Sequence, residues 1–343
     1  MSTPTFSVLM PVWHPNPEHL REAVDSVLDQ TTSSWELIAV CDGPQPDDVM
    51  AVLNIDHPQI VVVQRPEQGG IIAASADGLA AATGEFVALL DNDDVLPLDA
   101  LGSIAWELSR WPDVDFLYTD EDKLDVQGRR RRAYLKPGWS PERLRSNMYV
   151  GHLGVYRRSL VNEVGGFREG FDGSQDHDLA LRVTERARRI VHVPRICYHW
   201  RESDTSTALD PSSKDWAFDA GVRAVTSHME RCGIPATGAR KPQYPGFIDL
   251  VPNPDTDFGL VSIIIPTSGG SKLVEGRTIS LIDNAVTSIV EKSTYDNYEI
   301  VVVLDSHGTN AVADRIKALS PQRVRVVRDP QPFSFAGVQP RGP

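Results

Sequence analysis

Phe86-Val87-Ala88-Leu89-Leu90-Asp91-Asn92-Asp93-Asp94 is an apolar run closed by three carboxylates and an amide. Five consecutive apolar residues stopped by polar ones predict a buried strand. In open α/β sheets, ligands bind outside the carboxyl ends of the strands. These acids therefore stand on the rim where a ligand sits. Like charges so close repel unless a cation or a proton joins them. Mg²⁺ or Mn²⁺ carrying a phosphate ester meets that need, because such ions take one or two carboxylates plus phosphate oxygens. The alternative is a solvated turn, with Asp94 or Asp99 capping the next helix.

Towards the N-terminus the same grammar repeats. Short apolar runs predict strands at Phe6 to Met10, Leu37 to Cys41 and Ile60 to Val63. Helical spacing covers Pro17 to Gln30, with Pro17 suited to a first turn, and Gly70 to Ala82 is Ala-rich and helical. Past the acids, Leu98 to Arg110 reads as a helix and Phe116 to Thr119 as a fifth strand. Strands alternating with helices predict a mostly parallel sheet covered on both faces. After about residue 120 the alternation loosens, with strands at His152 to Tyr156 and Ile190 to Val193. Helices are predicted at Gln175 to Arg186 and Lys214 to Arg231. Residues 232–258 are rich in Pro, Gly and Asp and read as a linker.

From residue 259 the pattern restarts. Leu260-Val261-Ser262-Ile263-Ile264-Ile265-Pro266 echoes Phe6-Ser7-Val8-Leu9-Met10-Pro11, and Tyr298 to Asp305 echoes Trp35 to Asp42. The division expected is a first domain at 1–231, the linker, and an incomplete α/β repeat at 259–343. The second copy stops at Pro343, before any counterpart of the acidic segment, so it is expected to lack that chemistry.

The chain has 343 residues and a net charge of -13. An acidic balance argues against nucleic acid as a partner. The basic run Arg129 to Arg132 reads as a solvated turn between strands, with a local basic pocket as the alternative. Three cysteines (Cys41, Cys197, Cys232) without metal-ligand spacing fit a reducing cytosol. No apolar run reaches the ~18 residues needed to span a bilayer, so membrane contact is expected to be peripheral only.

Four further places carry chemistry. Asp42 ends the second strand before Gly43, where its carboxylate can accept from a base N–H; the plain alternative is an Asp-Gly turn. Asp176 falls in the first turn of a helix, either as a general base for an acceptor hydroxyl or as ordinary N-terminal helix chemistry. In Tyr198-His199-Trp200-Arg201, His199 could complete a metal shell and Arg201 could pair with a diphosphate; a lone His is more often simply packed. The following Ser203 to Thr207 suits a mobile loop. Gln68-Gly69-Gly70 is not a dinucleotide fingerprint, and its glycines suit close approach of a helix N-terminus to a phosphate or to the sheet.

Taken together, these residues resemble the family 2 glycosyltransferases with the GT-A fold. The resemblance rests on Met10-Pro11-Val12, Asp42-Gly43, Gly69-Gly70 with Ala73-Ala74-Ser75, Thr83-Gly84-Glu85-Phe86, and Asp91-Asn92-Asp93-Asp94. Gly165-Gly166-Phe167-Arg168 and Gln175-Asp176-His177-Asp178-Leu179 match its acceptor-side helix. Tyr118 to Lys123, Lys136-Pro137-Gly138-Trp139-Ser140 and Tyr198 to Arg201 resemble a bacterial branch that assembles O-antigen and rhamnan. Two places depart from the pattern: Ser75-Ala76-Asp77 stands where Arg-Asn is common, and Gln175 where Glu is usual.

The resemblance implies an inverting, metal-dependent transferase that moves a sugar, with rhamnose as the family-level guess, from a dTDP, UDP or GDP donor. The acceptor would be a glycan or lipid-linked glycan, met in the cytoplasm or at the inner face of the cell membrane. It implies nucleotide-sugar contacts from Pro11, Asp42, Gly70, Asp91, Asn92 and Arg201. It gives Mg²⁺ or Mn²⁺ to Asp93 with Asp91 and His199, and the base to Asp176. Glu121, Asp122, Trp139 and Trp200 would face the acceptor, with Trp139, Tyr149 or Trp200 stacking on a sugar. Two rivals stand beside this reading. Asp91-Asn92-Asp93-Asp94-Val95 also satisfies the Asp-x-Asp-x-Val pattern of haloacid-dehalogenase phosphatases, with Asp91 as nucleophile, although three strands precede it here. The other rival is an inactive, truncated scaffold.

Overall fold

The computed structural model describes residues 4–202, 215–244, 246–254 and 256–330. Its contacts divide the chain into two units, Met1–Pro254 and Asp255–Pro343.

In the first unit the alternation appears as β1 (Phe6–Val12), α1 (Pro17–Leu28), β2 (Trp35–Cys41), α2 (Asp47–Leu53), β3 (Ile60–Gln64), α3 (Gly70–Ala81), β4 (Phe86–Leu89) and α4 (Ala100–Arg110). Asn16 starts α1 by accepting the Glu18 N–H at 2.8 Å, and Pro17 takes the first turn, where its missing N–H costs nothing. The looser half contains β5 (Phe116–Leu124), β6 (Arg130–Tyr134), α5 (Pro141–Ser146), β7 (Gly154–Arg157), α6 (Arg158–Glu163), α7 (Gln175–Thr184), β8 (Ile190–Arg201), α8 (Asp215–Arg231), β9 (Ala236–Arg240) and β10 (Ile248–Pro252).

Eight strands form one sheet in the order β3-β2-β1-β4-β7-β5-β6, with β8 also paired to β5. β1, β2, β3 and β4 are mutually parallel, whereas β7 runs antiparallel between β4 and β5. That reversal matters for the site. The residues that precede β7 emerge on the same edge as those that follow β1, β2 and β4. β8, parallel to β5, ends on that edge too.

Alternation along the strands builds two cores. Phe6, Val8 and Met10 pack with Leu20 and Val24 of α1 and Ile104 of α4. Leu9, Ile38 and Val40 pack with Ala74 of α3, Leu179 of α7 and Ala224 of α8. Each fully buried aliphatic of this kind contributes about 1.5–3 kcal/mol, which is why the strand positions tolerate little polarity.

Two sequence expectations change. Residues 232–258 contain an antiparallel hairpin, β9 against β10, with Ile248 buried in the second core. Pro and Gly density marks its turns, and the short strands between them are too polar to announce themselves. The run Arg129 to Arg132 is mostly an edge strand, not a turn. Its guanidinium groups pair with Asp125, Asp122, Asp125 and Glu202 in order, so each charge is already matched within the protein.

The second unit comprises β11 (Val261–Thr267), β12 (Ser271–Val274), β13 (Arg277–Ser280), α9 (Leu281–Lys292), β14 (Tyr298–Leu304), α10 (Asn310–Leu319) and β15 (Val324–Arg328). The parallel order β11-β14-β15 reproduces β1-β2-β3. The echo reaches side chains: Ser262 donates to Glu299 at 2.7 Å, as Ser7 donates to Glu36 at 2.5 Å. The sequence at Phe333 to Gly337 reads as the start of a helix, and it lies outside the described residues.

Candidate active site

Asp91 follows β4, and its side chain is partly open to solvent. Its backbone N–H donates to the Tyr198 hydroxyl at 3.2 Å. That hydroxyl in turn donates to Asp94 at 2.6 Å. Asp94 is fully buried and also accepts the Arg201 backbone N–H at 2.7 Å. Burial, then the charges of Asp91 and Asp93, hold the Asp94 carboxyl well above the ordinary carboxylate range. Asp94 is therefore the internal strut of the cluster, and neither it nor Asp99 makes a side-chain cap for α4. Asn92 ties the cluster to β1 by donating to the Pro11 carbonyl at 2.7 Å. Asp93 is half-buried, and burial followed by the Asp91 charge raises its carboxyl.

Asp176 lies in the first turn of α7, as its sequence position predicts. It lines a small cavity of about 20 Å³ with Asp91, Pro11, Gln175 and His152. Burial raises its carboxyl, a charge on His152 opposes this, and Asp91 adds to it. Two carboxylates from opposite halves of the unit thus meet across one space.

Sequence reasoning missed His152. Its Nε2 stands 3.8 Å from Asp91 Oδ2, and its ring stacks on Tyr198 with centroids 4.6 Å apart. Its backbone is gripped by a buried ion pair. Lys136 Nζ binds Glu121 Oε2 at 2.8 Å and donates to the Val150 carbonyl at 2.8 Å and the His152 carbonyl at 2.5 Å. Glu121 accepts the His152 N–H at 3.1 Å. No local pattern announced this: Glu121 sits in the charged run Asp120-Glu121-Asp122-Lys123, and its partner Lys136 is 15 residues further along the chain.

Several expected ligand contacts are already engaged within the protein. Asp42 is 3% exposed and accepts the N–H groups of Gly69 and Gly70, each at 2.8 Å. Arg65 Nε adds its charge 3.0 Å from Asp42 Oδ1 without a directed hydrogen bond. Asp42 thus anchors the start of α3, where Gly70 has φ +83° and a side chain would be strained. Arg201 donates to the Asp93 carbonyl at 2.8 Å and pairs with Glu22, so its guanidinium is held by the fold. His199 pairs through Nδ1 with Asp122, and its backbone is bridged to Val95. Among the described residues, Asp91, Asp93 and His199 do not assemble as a ligand group; the group that does is Glu185, His228 and Cys232. Two guanidinium groups serve that trio, Arg145 on His228 and Arg231 on Glu185, which suits a paired network better than a cation.

Glu121 and Asp122 are buried and paired, so they position His152 and His199 and do not face an acceptor. Trp139 packs against the second core. Tyr149 is fully buried and sits edge-on to Tyr118, which leaves no face for a sugar. Trp200 is half-buried beside the site, with His152 edge-on at 5.7 Å and Lys123 over its ring at 4.9 Å. The loop expected at Ser203 to Thr207 lies outside the described residues. No helix among the described residues is long and apolar enough to cross a membrane.

Comparison with known proteins gives the family and the fold. The glycosyl transferase family 2 pattern matches residues 7–165 and again 262–338. The O-antigen biosynthesis protein RfbC of Myxococcus xanthus is 34% identical over 341 residues, covering 98% of this chain and 26% of that protein. The uncharacterized protein y4gI of Sinorhizobium fredii is 36% identical over 348 residues, covering 98% of this chain and 37% of that protein. The chain therefore spans about a third of the length of these relatives. The solved structure of S. aureus TarS 1-349 in complex with UDP-GlcNAc superposes with a TM-score of 0.53 at 19% identity, covering 66% of each chain. That likeness concerns the fold, which is GT-A. The family pattern takes in both units and more than half of the chain, and the chain belongs to glycosyl transferase family 2.

Proposed function

We propose that this chain is an inverting glycosyltransferase that acts in bacterial surface polysaccharide synthesis and uses a divalent cation. The observation that carries the reading is the shared cavity of Asp91 and Asp176 at the carboxyl ends of β1 and β4. Asp176 takes the proton of an acceptor hydroxyl. The freed oxygen attacks the anomeric carbon, and the bond from that carbon to the diphosphate breaks. One base suffices for a single displacement, so the product is inverted.

The donor set suits a hard cation. Asp91 and Asp93 offer hard oxygen donors, and burial followed by the Asp91 charge keeps the Asp93 carboxyl raised, a repulsion that a cation would relieve. Mg²⁺ or Mn²⁺ held there would offset charge on the departing nucleoside diphosphate. The RfbC relative supports an O-antigen setting; a glycan or lipid-linked glycan acceptor met at the inner face of the membrane is part of the same proposal. The TarS structure in complex with UDP-GlcNAc supports a nucleotide-sugar donor. Rhamnose from dTDP-rhamnose is the first donor to try, followed by UDP and GDP sugars.

The test is release of nucleoside diphosphate from a panel of nucleotide sugars with Mg²⁺ or Mn²⁺. Wild type is expected to turn over at least one of them. Asp93→Ala is expected to lose the metal-stimulated part. Equal turnover by wild type and Asp93→Ala would refute catalysis through these acids.

A further inference from the structure

Gln175 is the first residue of α7 and is 8% exposed. Its Oε1 is buried and accepts no hydrogen bond from any described residue. Its amide N–H groups serve Asp176, donating to that carboxylate and favouring its charged form. The opposite amide orientation would set one acceptor against another, so the chemistry of the pair decides it. A buried carbonyl oxygen left without a donor is uncommon in folded proteins.

The side chain lines the same small cavity as Asp176, Asp91 and His152. Its volume of about 20 Å³ has room for one hydroxyl group or one water and no more. Asp176, by contrast, is only half-buried. One hydroxyl at the half-buried Asp176 and a second one inside the cavity would satisfy both residues at once.

We propose that Gln175 recognises the acceptor of this site and selects a pyranose with two adjacent free hydroxyls. One hydroxyl gives its proton to Asp176 and attacks. Its neighbour enters the cavity and donates to Gln175 Oε1, keeping its own hydrogen throughout. The inference rests on the glycosyl-transfer reading above.

The experiment uses the full chain and the nucleotide sugar that wild type turns over. Nucleoside diphosphate release is followed with methyl rhamno-, manno-, gluco- and galactopyranosides, each compared with its monodeoxy derivatives. In wild type, at least one glycoside is expected to accelerate release. Loss of the hydroxyl next to the attacking one should raise KM about tenfold to a hundredfold. Gln175→Leu should raise KM for the intact glycoside by a similar factor and no longer distinguish the deoxy compound. Gln175→Glu keeps an acceptor oxygen but loses the N–H, so KM should stay near wild type while kcat falls; this variant carries the test if Gln175→Leu does not fold. A Gln175→Leu enzyme that still discriminates the deoxy compound overturns the proposal, because a water then fills the cavity. So does a wild type that releases nucleoside diphosphate but is accelerated by none of the glycosides. Failure of the glycosyl-transfer reading looks different: wild type then releases nothing from any nucleotide sugar.

Discussion

Asp176 and Asp91 approach from different parts of the chain, and their environment sets the pH behaviour. Burial pushes the Asp176 carboxyl up, Asp91 pushes the same way, and a charge on His152 pulls it back. A general base must be deprotonated, so the acid limb of kcat should lie above the range of an ordinary aspartate. His152→Gln should move that limb to higher pH, as a pH–rate profile would register. Asp176→Asn should lower transfer by roughly 100- to 10,000-fold while nucleotide binding, measured by calorimetry, is retained. Normal transfer by that variant would remove Asp176 as the base. Lys136 has no exposed side-chain surface, and its partner Glu121 is nearly as deep. Burial lowers the Lys136 ammonium, and the Glu121 charge partly restores it. Lys136→Met would leave Glu121 buried and unpaired and free the loop at His152. A loss of about 3–5 kcal/mol in urea unfolding is expected.

At the scale of elements, α7 carries the base on one side and a buried histidine on the other. His177 binds the Leu144 carbonyl of α5 at 2.6 Å, and burial pushes its imidazole down to about 4. The unfolded chain takes up this proton below about 6.5, but the folded chain does so only near the lower value. The stability tied to His177 is therefore complete above about pH 6.5 and is lost as pH falls towards 4, by about 3 kcal/mol in all. Urea titrations across that window should show a shallower slope for His177→Gln. The strand order explains a different element. Because β7 is antiparallel, the short segment before Gly154 reaches the rim beside Asp91, which its position in the chain does not suggest. The tight junction before β4 is equally specific: a side chain at Gly84 would come within 2.7 Å of the Ser7 backbone nitrogen.

At the scale of the molecule, each unit closes its own core. In the second unit, Ile282, Val286, Ile300, Val302 and Ile316 pack together. All seven tryptophans precede Pro254, so tryptophan fluorescence follows the first unit while circular dichroism sees both. Ile300→Ala should cost its unit about 2–5 kcal/mol and lower the circular-dichroism transition without moving the fluorescence transition. A shift of both together would show that the units unfold as one. The short helix α2 was not legible in the sequence; the strands β1 to β4, the helices α1, α3 and α4, the repeat of the apolar pattern after residue 259, the acids at the end of β4 and the place of Asp176 in a first turn were. Each of these is a local pattern of apolar spacing and chain breakers, and local spacing is what selects strand or helix. Only the tertiary structure decided which polar groups remain free. Asp42 is taken up by Gly69 and Gly70, Arg201 by Glu22, His199 by Asp122 and Glu121 by Lys136, while His152 comes to stand beside the base. The partner of a polar side chain depends on which distant strands become neighbours, and sheet order is a property of the whole chain's packing.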